Sequence, residues 1–208
     1  LANEVGTLCE DVTLACSELA DQLGSVGVAA EFKALISQEL DIETLLRTVL
    51  EYLLARTGPT NAAIFLPASS GDYSLGAYVN YDRPKDSAEM ILDHLADAVP
   101  CKLEDEAGTL LITNQREMED RFGDAAHWLD DQHVLTYTCV HDGEALAVVM
   151  FFRERTLPFK AEVVKTLETV GPVLSSQLAK VIRVHHRYGP KFKFRANESE
   201  DDIGGMAA

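Results

Sequence analysis

The sequence predicts an α+β domain in which one antiparallel sheet is flanked by helices, with a long helix at each end of the chain. Asp142-Gly143 separates two apolar runs, and this dipeptide is a strong signal for a tight β-hairpin. Helical periodicity over about 3–26 and 160–187 supplies the two long helices. The 208 residues suit one domain with extended flanks better than two full domains.

The composition indicates a chain that buries a sizeable core, with 47% hydrophobic and 25% charged residues. The formal net charge of -16 argues against nucleic acid or an anionic membrane as a partner, because both repel a polyanion. No apolar run approaches the roughly 18–20 residues of a membrane span, and the N-terminus lacks a signal pattern. We therefore expect a cytoplasmic protein. A removed leader is left open because residue 1 is Leu.

Residues 1–27 are predicted to form a coiled-coil-like helix. Apolar side chains recur in two series of seven-residue steps: Val5, Val12, Leu19 and Val26, and Cys9, Cys16 and Leu23. Such a repeat winds a helix against a partner helix, while acidic residues occupy the other faces. Gly24 and Gly27 are predicted to end this helix. A second helix is expected over about 28–38, with a stripe of Phe32, Leu35 and Ile36.

Between the terminal helices the sequence predicts two hairpins separated by helices. Asp41 is expected to cap the first of these helices, and Gly58-Pro59 is expected to end it. The elements are, in chain order, a helix at about 42–57, a doubly buried strand at 61–66, its partner at 73–81, an amphipathic helix at 87–99 with Met90, Ile91, His94, Leu95 and Val99 as its stripe, a strand at 109–113, a polar helix or loop at 114–132, and strands at 134–140 and 144–152.

The last helix, at about 160–187, carries a second apolar stripe. Its members are Val163, Leu167, Val170, Leu174, Leu178 and Val181. Their alternating spacing of three and four is typical of a helix-pairing seam, so we expect a homodimer formed through both terminal helices. Residues 184–208 are predicted to be a flexible tail, first basic and then acidic. A solvated helix end is favoured there over a contact with nucleic acid.

Three stretches of the chain resemble the GAF domain family. They are the helix Leu40–Leu54 with the strand Ala62–Leu66, the hairpin Tyr137–Phe152, and the helix start at Leu157–Glu168. The resemblance implies a PAS/profilin-like sheet with helices around it, and a GAF-like domain over 28–183. It also implies a signalling module that binds a small molecule or a protein partner, dimerises through flanking helices and regulates an attached output domain.

Specialised branches of that family carry motifs that this chain departs from. Cyclic-nucleotide-binding members have an Asn-Lys…Phe-Asp motif, which Asn114-Gln115 followed by Arg116 does not match. Bilin-binding members use a cysteine commonly placed next to a histidine, and neither Cys101 nor Cys139 has that neighbour. The sequence therefore leaves any ligand or cofactor unidentified.

Six residues are candidates to line a ligand cavity: Phe65, Tyr78, Tyr81, Trp128, Tyr137 and Cys139. Pockets for small molecules are mostly apolar with a few polar groups, and tyrosines supply both. The alternative is that these side chains pack in the core or along sheet edges.

The cysteines give no metal or redox motif by their spacing, and we expect reduced thiols. Cys139 and His141 are two apart on a strand and would share a face. They supply two ligands where zinc takes four, so ordinary sheet packing is favoured over a metal site. On the N-terminal seam, Cys9 and Cys16 are interpreted as small packing residues, with a cross-subunit disulfide as the alternative.

Catalytic residues are not predicted, and we expect the chain not to be an enzyme. It has neither a Gly-x-Ser-x-Gly elbow nor a Gly-x-Gly-x-x-Gly loop. Two alternatives to the signalling module stay open. One is a stand-alone GAF-fold enzyme of the free methionine sulfoxide reductase type, which uses several cysteines around its pocket. The other is a purely structural dimerisation module whose interior is filled by its own side chains.

Overall fold

A computed structural model describes residues 2–68, 70–81 and 84–188, with side chains for 10–68, 70–81, 84 and 87–184. Its α-helices are α1 (Ala2–Ile36), α2 (Ile42–Thr57), α3 (Lys85–Ala98), α4 (Gln115–Phe122) and α5 (Ala161–Tyr188). Its strands are β1 (Asn61–Pro67), β2 (Tyr73–Val79), β3 (Gly108–Ile112), β4 (Gln132–His141) and β5 (Glu144–Glu154). Two short 3₁₀ helices span Pro100–Lys102 and Gly123–Leu129.

The five strands form one antiparallel sheet in the order β2-β1-β5-β4-β3. Side chains on one face pack with α1, α2 and α5, and we call this the terminal-helix face. The opposite side chains pack with α3, α4 and the 3₁₀ helix Gly123–Leu129, and we call this the α3–α4 face. The α+β prediction of a central antiparallel sheet between helices is confirmed.

Local signals in the sequence fix several turns as predicted. Asp41 caps α2 by accepting a hydrogen bond from the Thr44 amide at 2.9 Å. Gly58 ends that helix with a φ of 74°, a conformation in which a side chain would be strained. The β4–β5 hairpin turns through Asp142 and Gly143, both at positive φ, as an Asp-Gly turn requires.

Helix α1 does not break at Gly24 and Gly27, so the predicted division into helices at 3–26 and 28–38 is wrong. Each glycine costs a helix only about 1 kcal/mol relative to alanine, and packing farther along offsets that loss. Phe32 and Ile36 are fully buried against the terminal-helix face. Arg56 of α2 also pairs with Glu31 at 2.9 Å, which holds this part of α1 in place.

The apolar stripe of α5 lies in the core and is not a free seam. All six of its members are buried against the terminal-helix face: Val163, Leu167, Val170, Leu174, Leu178 and Val181. The expectation that this stripe pairs with a second copy is therefore wrong. A spacing of three and four describes any helix with one buried face, and here that face lies on the sheet.

In α3 the predicted stripe is also displaced. Met90 is 52% exposed and His94 is exposed, whereas Ile91 and Leu95 are buried as expected. Val99 is buried as predicted, and the buried face also includes Ala88, Leu92 and Ala96. Its partners are the side chains of the α3–α4 face.

Helices α1 and α5 run side by side in the same direction. Lys165 near the start of α5 pairs with Asp21 at 3.2 Å, and Gln177 farther along donates to the Glu39 carbonyl at 2.9 Å. Residues 10–24 of α1 are exposed along their whole length, and the stretch before Asp21 extends past the start of α5. None of the helices in the described ranges combines the length and apolar character needed to cross a membrane.

A close approach between α5 and β4 occurs at Gly171. A Cβ built on this residue would overlap the ring of Tyr137, so only glycine allows the helix to lie this near the sheet. The next residue is Pro172, which lies inside the helix and lacks the amide that would bond to the preceding turn.

Replacement of Gly171 by alanine should destabilise the fold by about 1–3 kcal/mol, since the new methyl group must push the Tyr137 ring or the helix aside. Gly27→Ala is the matched control, because a Cβ there meets nothing within 4 Å. It should leave stability unchanged or raise it by up to about 1 kcal/mol. Urea denaturation measures both. Equal free energies of unfolding for the two variants would contradict the close approach.

Candidate functional site

The six candidate cavity residues do not meet in one place. Phe65, Tyr78 and Trp128 belong to the α3–α4 face, whereas Tyr137 and Cys139 lie in the core of the terminal-helix face. The sixth, Tyr81, follows the end of β2 and is 62% exposed. The sheet separates the first group from the second, so no single cavity contains all six.

The α3–α4 face is the side on which Phe65 is fully buried. Its core is filled by side chains of the described elements, among them Leu95, Met118 and Leu129. A cavity of about 10 Å³ remains there, lined by Asn61, Val79, Asn80, Ala88, Ile91, Leu92 and Phe152. A single water needs roughly 10–15 Å³, so this space does not hold an organic ligand.

Two of the candidate tyrosines are held at the β2 edge of the sheet. The Tyr78 hydroxyl donates to Glu89 Oε1 of α3 at 3.1 Å, and burial, followed by that carboxylate, raises the pKa of Tyr78. The backbone amide of Tyr81 donates to Asn61 Oδ1 at 2.9 Å. These bonds tie β2 to α3 and β1.

Trp128 lies at the rim of the α3–α4 face between two histidines. The His94 ring stacks on the indole with centroids 4.6 Å apart and an angle of 13°. The centroid of the His127 ring lies 4.4 Å from that of the indole, and His127 Nδ1 contacts the Asp124 carbonyl. Periodicity places His94 in an apolar stripe, but the structure shows that it covers the indole from outside the core.

Tyr137 and Cys139 form a small polar cluster beneath α5 together with Ser175. Burial raises the pKa of Cys139 to about 12, and the hydrogen bond to Ser175 opposes that shift only in part. Burial likewise raises the pKa of Tyr137. The Ser175 hydroxyl also donates to the Gly171 carbonyl at 3.1 Å. A thiol with so high a pKa stays protonated at neutral pH and is a poor nucleophile.

His141 lies at the end of β4, two residues after Cys139, and contacts α5. A register irregularity separates Cys139 from Val140, and His141 contacts Arg183 of α5 at 3.1 Å. Among the residues whose side chains are described, no three of His, Cys, Asp and Glu are grouped to hold a metal ion. The side chains of Cys9, His185 and His186 lie outside the described residues, as does the chain from 189 to 208.

Arg153 and His133 are buried neighbours on β5 and β4 that sequence reasoning did not single out. Arg153 donates to the Thr57 carbonyl at 3.1 Å and to the Pro158 carbonyl at 2.8 Å, and its guanidinium lies over Phe159. It therefore joins the end of α2 to the start of α5. Burial, and then Arg155 and Arg153, lower the pKa of His133.

The strongest surface feature is an apolar stripe on the projecting part of α1, which we call the α1 seam. It consists of Val12, Cys16, Leu19, Leu23 and Val26, all exposed. Exposure of the four larger side chains runs from 57% to 72%. These are positions of the predicted seven-residue repeat, and their pairing with a second copy stays a prediction.

No family model and no curated protein matches the sequence. Solved structures do match. The GAF domain of a phosphoenolpyruvate-protein phosphotransferase from Coxiella burnetii has a TM-score of 0.59 at 12% identity, over 79% of this chain and 98% of that one. A GAF domain/HD domain protein from Geobacter sulfurreducens scores 0.58 at 13%, over 73% and 98%. The chromophore-binding domain of a bacteriophytochrome from R. palustris scores 0.57 at 13%, over 80% and 63%.

These similarities, together with the five-stranded sheet and its two helical layers, establish that the chain has the GAF fold. The resemblance that the helix, hairpin and Pro-Phe stretches suggest is confirmed at the level of fold. At 12–13% identity the fold alone is carried over, and the fold does not specify a ligand.

The buried thiol gives an alkaline pH dependence. Folding raises the pKa of Cys139 from an ordinary 9.0 to about 12, so its contribution to stability is complete below 9 and is lost as pH rises towards 12. In Cys139→Ala the free energy of unfolding should fall less steeply with pH above 9, by up to about 1.4 kcal/mol per pH unit. Urea titrations from pH 8 to pH 11 measure this. Parallel curves for the two proteins would contradict it.

Proposed function

We propose that this chain is a regulatory module of the GAF fold that acts as a parallel homodimer and is not an enzyme. Its α1 seam forms the subunit contact, and a change of state passes between subunits and along the terminal helices. The observation that carries this proposal is the exposed seam. The apolar stripes of α2 and α5 pack within one copy of the chain.

The projecting part of α1 needs a partner on physical grounds. A free helix of about 12–15 residues is marginal in water, and this one contains Gly24. Burial of each large apolar side chain contributes roughly 1.5–3 kcal/mol, and the seam offers four of them per copy. A second α1 with the same repeat would cover them.

Charge also favours a contact at the seam. Two copies that each carry a net charge of -16 repel, so a stable contact must keep carboxylates out of its centre. The α1 seam itself contains no acidic residue, because Glu10, Asp11 and Glu18 occupy other faces of the helix. A parallel arrangement places like positions of the two seams opposite each other.

We infer a role that does not depend on a small molecule held among the packed side chains of the α3–α4 face. For the six candidate cavity residues, a role in ligand binding stays a prediction. Signals would then arrive through a protein partner or through the helices. Domains of this fold in a bacteriophytochrome and in a phosphotransferase support a regulatory role.

The arrangement of cysteines does not favour a methionine sulfoxide reductase. Cys139 is buried on the terminal-helix face, Cys101 is exposed in the 3₁₀ helix after α3, and Cys16 is exposed on projecting α1. Three thiols spread over different layers do not surround one pocket.

Leu19→Asp should prevent dimer formation while leaving the domain folded, because it places a charge in the middle of the seam and touches no core side chain. Leu14→Asp is the matched control, since Leu14 is 62% exposed on the same stretch but lies off the seam. Sedimentation equilibrium measures the dissociation constant, which should rise at least about 100-fold for the first variant, a change of about 2.8 kcal/mol.

Native mass spectrometry of the unaltered protein from its own host reports subunit number and bound ligand together. A dimer with no additional mass supports the proposal. A clean monomer at high micromolar concentration would remove the dimer, and a stoichiometric organic ligand would remove the ligand-free mechanism.

Mild oxidation tests whether the two α1 helices are parallel. In a protein with Cys9 and Cys101 changed to serine, Cys16 is the exposed thiol that remains. In a parallel pair it faces its copy, so diamide, which accepts the two electrons and two protons of two thiols, should yield a covalent dimer within minutes. Cys16→Ser in the same background is the control. Dimers that sediment as such but give no cross-link would exclude the parallel register.

A further inference from the structure

We propose that the groove between the end of α1 and the middle of α5 binds a small oxyanion, and that this binding strengthens the homodimer. The inference rests on the proposed function, because it places the groove at the subunit contact. The groove has a volume of about 250 Å³ and is lined by Lys33, Ile36, Ser37, Pro172, Val173, Ser176, Gln177 and Lys180. This volume is just below the roughly 300–1,000 Å³ of drug-sized sites, which suits a smaller ligand.

The residues at the floor of the groove are buried, whereas the residues at its rim are exposed to solvent. Ile36 is fully buried, and Gln177 is 4% exposed with its amide nitrogen donating to the Glu39 carbonyl at 2.9 Å. The rim residues Lys33, Ser37, Ser176 and Lys180 are exposed. Their groups are two ammonium ions and two hydroxyls, which together supply positive charge and hydrogen-bond donors.

The two lysines differ from four other cations of this chain in their surroundings. Arg56, Arg121, Lys165 and Arg183 each lie within 4.0 Å of a carboxylate. Within the described ranges, neither Lys33 nor Lys180 forms such a pair, although the chain has 34 acidic and 18 basic residues. Two unpaired ammonium groups on neighbouring helices suit a phosphate or carboxylate group, which lysine binds as a point charge.

The groove continues the α1 seam. Lys33 is seven residues after Val26, and Ser37 is seven after Ala30, which is itself seven after Leu23. In the parallel dimer, Lys33 would therefore face the second copy of itself. A lysine at such a position lowers the stability of a coiled coil, because the two like charges repel each other.

An anion in the groove would replace the repulsion between the two copies of Lys33 with an attraction between the subunits. With Lys33 and Lys180 of each copy around it, a dianion is attracted to both subunits, while the lysines no longer repel. A ligand that binds the dimer more tightly than the monomer stabilises the dimer by mass action. The Lys33 position thus makes dimer formation sensitive to the anion, and a leucine there would remove that sensitivity.

The test is sedimentation equilibrium of the full chain in sodium chloride, sodium phosphate and sodium succinate at one ionic strength. Phosphate should lower the dimer dissociation constant at least about tenfold relative to chloride. The succinate arm distinguishes a dicarboxylate source from a phosphate source, since a response to either one supports the site. The double variant Lys33→Gln and Lys180→Gln should show equal constants in all three salts. Lys102→Gln, on the other side of the sheet, should respond as the unaltered protein does.

A second variant separates charge from folding. Lys33→Leu should dimerise more tightly than the unaltered protein in chloride and gain nothing from phosphate. A dimer with the same constant in every salt would overturn the anion site and leave the proposed function standing. A monomer in every salt would overturn the proposed function itself. A phosphate response that survives the double variant would also overturn the site, because it would come from general screening.

Discussion

Burial of the central strands on both faces is the constraint on which the rest of this structure depends. Val149 and Phe151 of β5 enter the terminal-helix face, and Val148 and Met150 enter the α3–α4 face, all without measurable exposure. A strand of this kind has no side that water can cover, so two helical layers are obligatory. The apolar stripe of α5 and the buried face of α3 are both used to meet that demand.

Because the apolar stripes of α5 and α3 are buried on the sheet, they are not available to bind other molecules. Side chains of α3 and α4 pack against one face of the sheet, and packing of the α5 stripe against the other face removes one of the two expected dimer seams. Among the described residues, the α1 seam is exposed, and a groove lies where α1 meets α5. The two surfaces that we propose for binding therefore lie along α1 and α5, outside the core of the domain.

Much of the fold is legible in the sequence because the signals are local. The Asp41 cap and the Asp142-Gly143 turn depend on a few adjacent residues, and the structure has both. The partner of the α5 stripe is not legible, because a helix has the same period whether it packs on a sheet or on another helix. The continuity of α1 through Gly24 is decided by packing farther along, which a local penalty does not reveal.

The candidate site was predictable only in part for the same reason. Strand alternation places Tyr137 and Cys139 on one face, but whether Phe65 shares that face depends on a register between distant strands. Lys33 and Lys180 line the same groove but are far apart in the chain, so neither alone suggests a site. Extension of the seven-residue repeat past Val26 is the one sequence signal that would have reached Lys33.

The shared direction of α1 and α5 has a mechanical meaning. Because the first helix leads in at one end of the domain and the last leads out at the other, a polypeptide attached before α1 and another attached after α5 would be held at opposite ends of the domain. The 28 residues of α5 span about 42 Å, so the domain would form a rigid section of that length between the two attached polypeptides. A rotation of α5 would be transmitted to the sheet through the Gly171–Tyr137 contact, because helix and sheet pack there without free space.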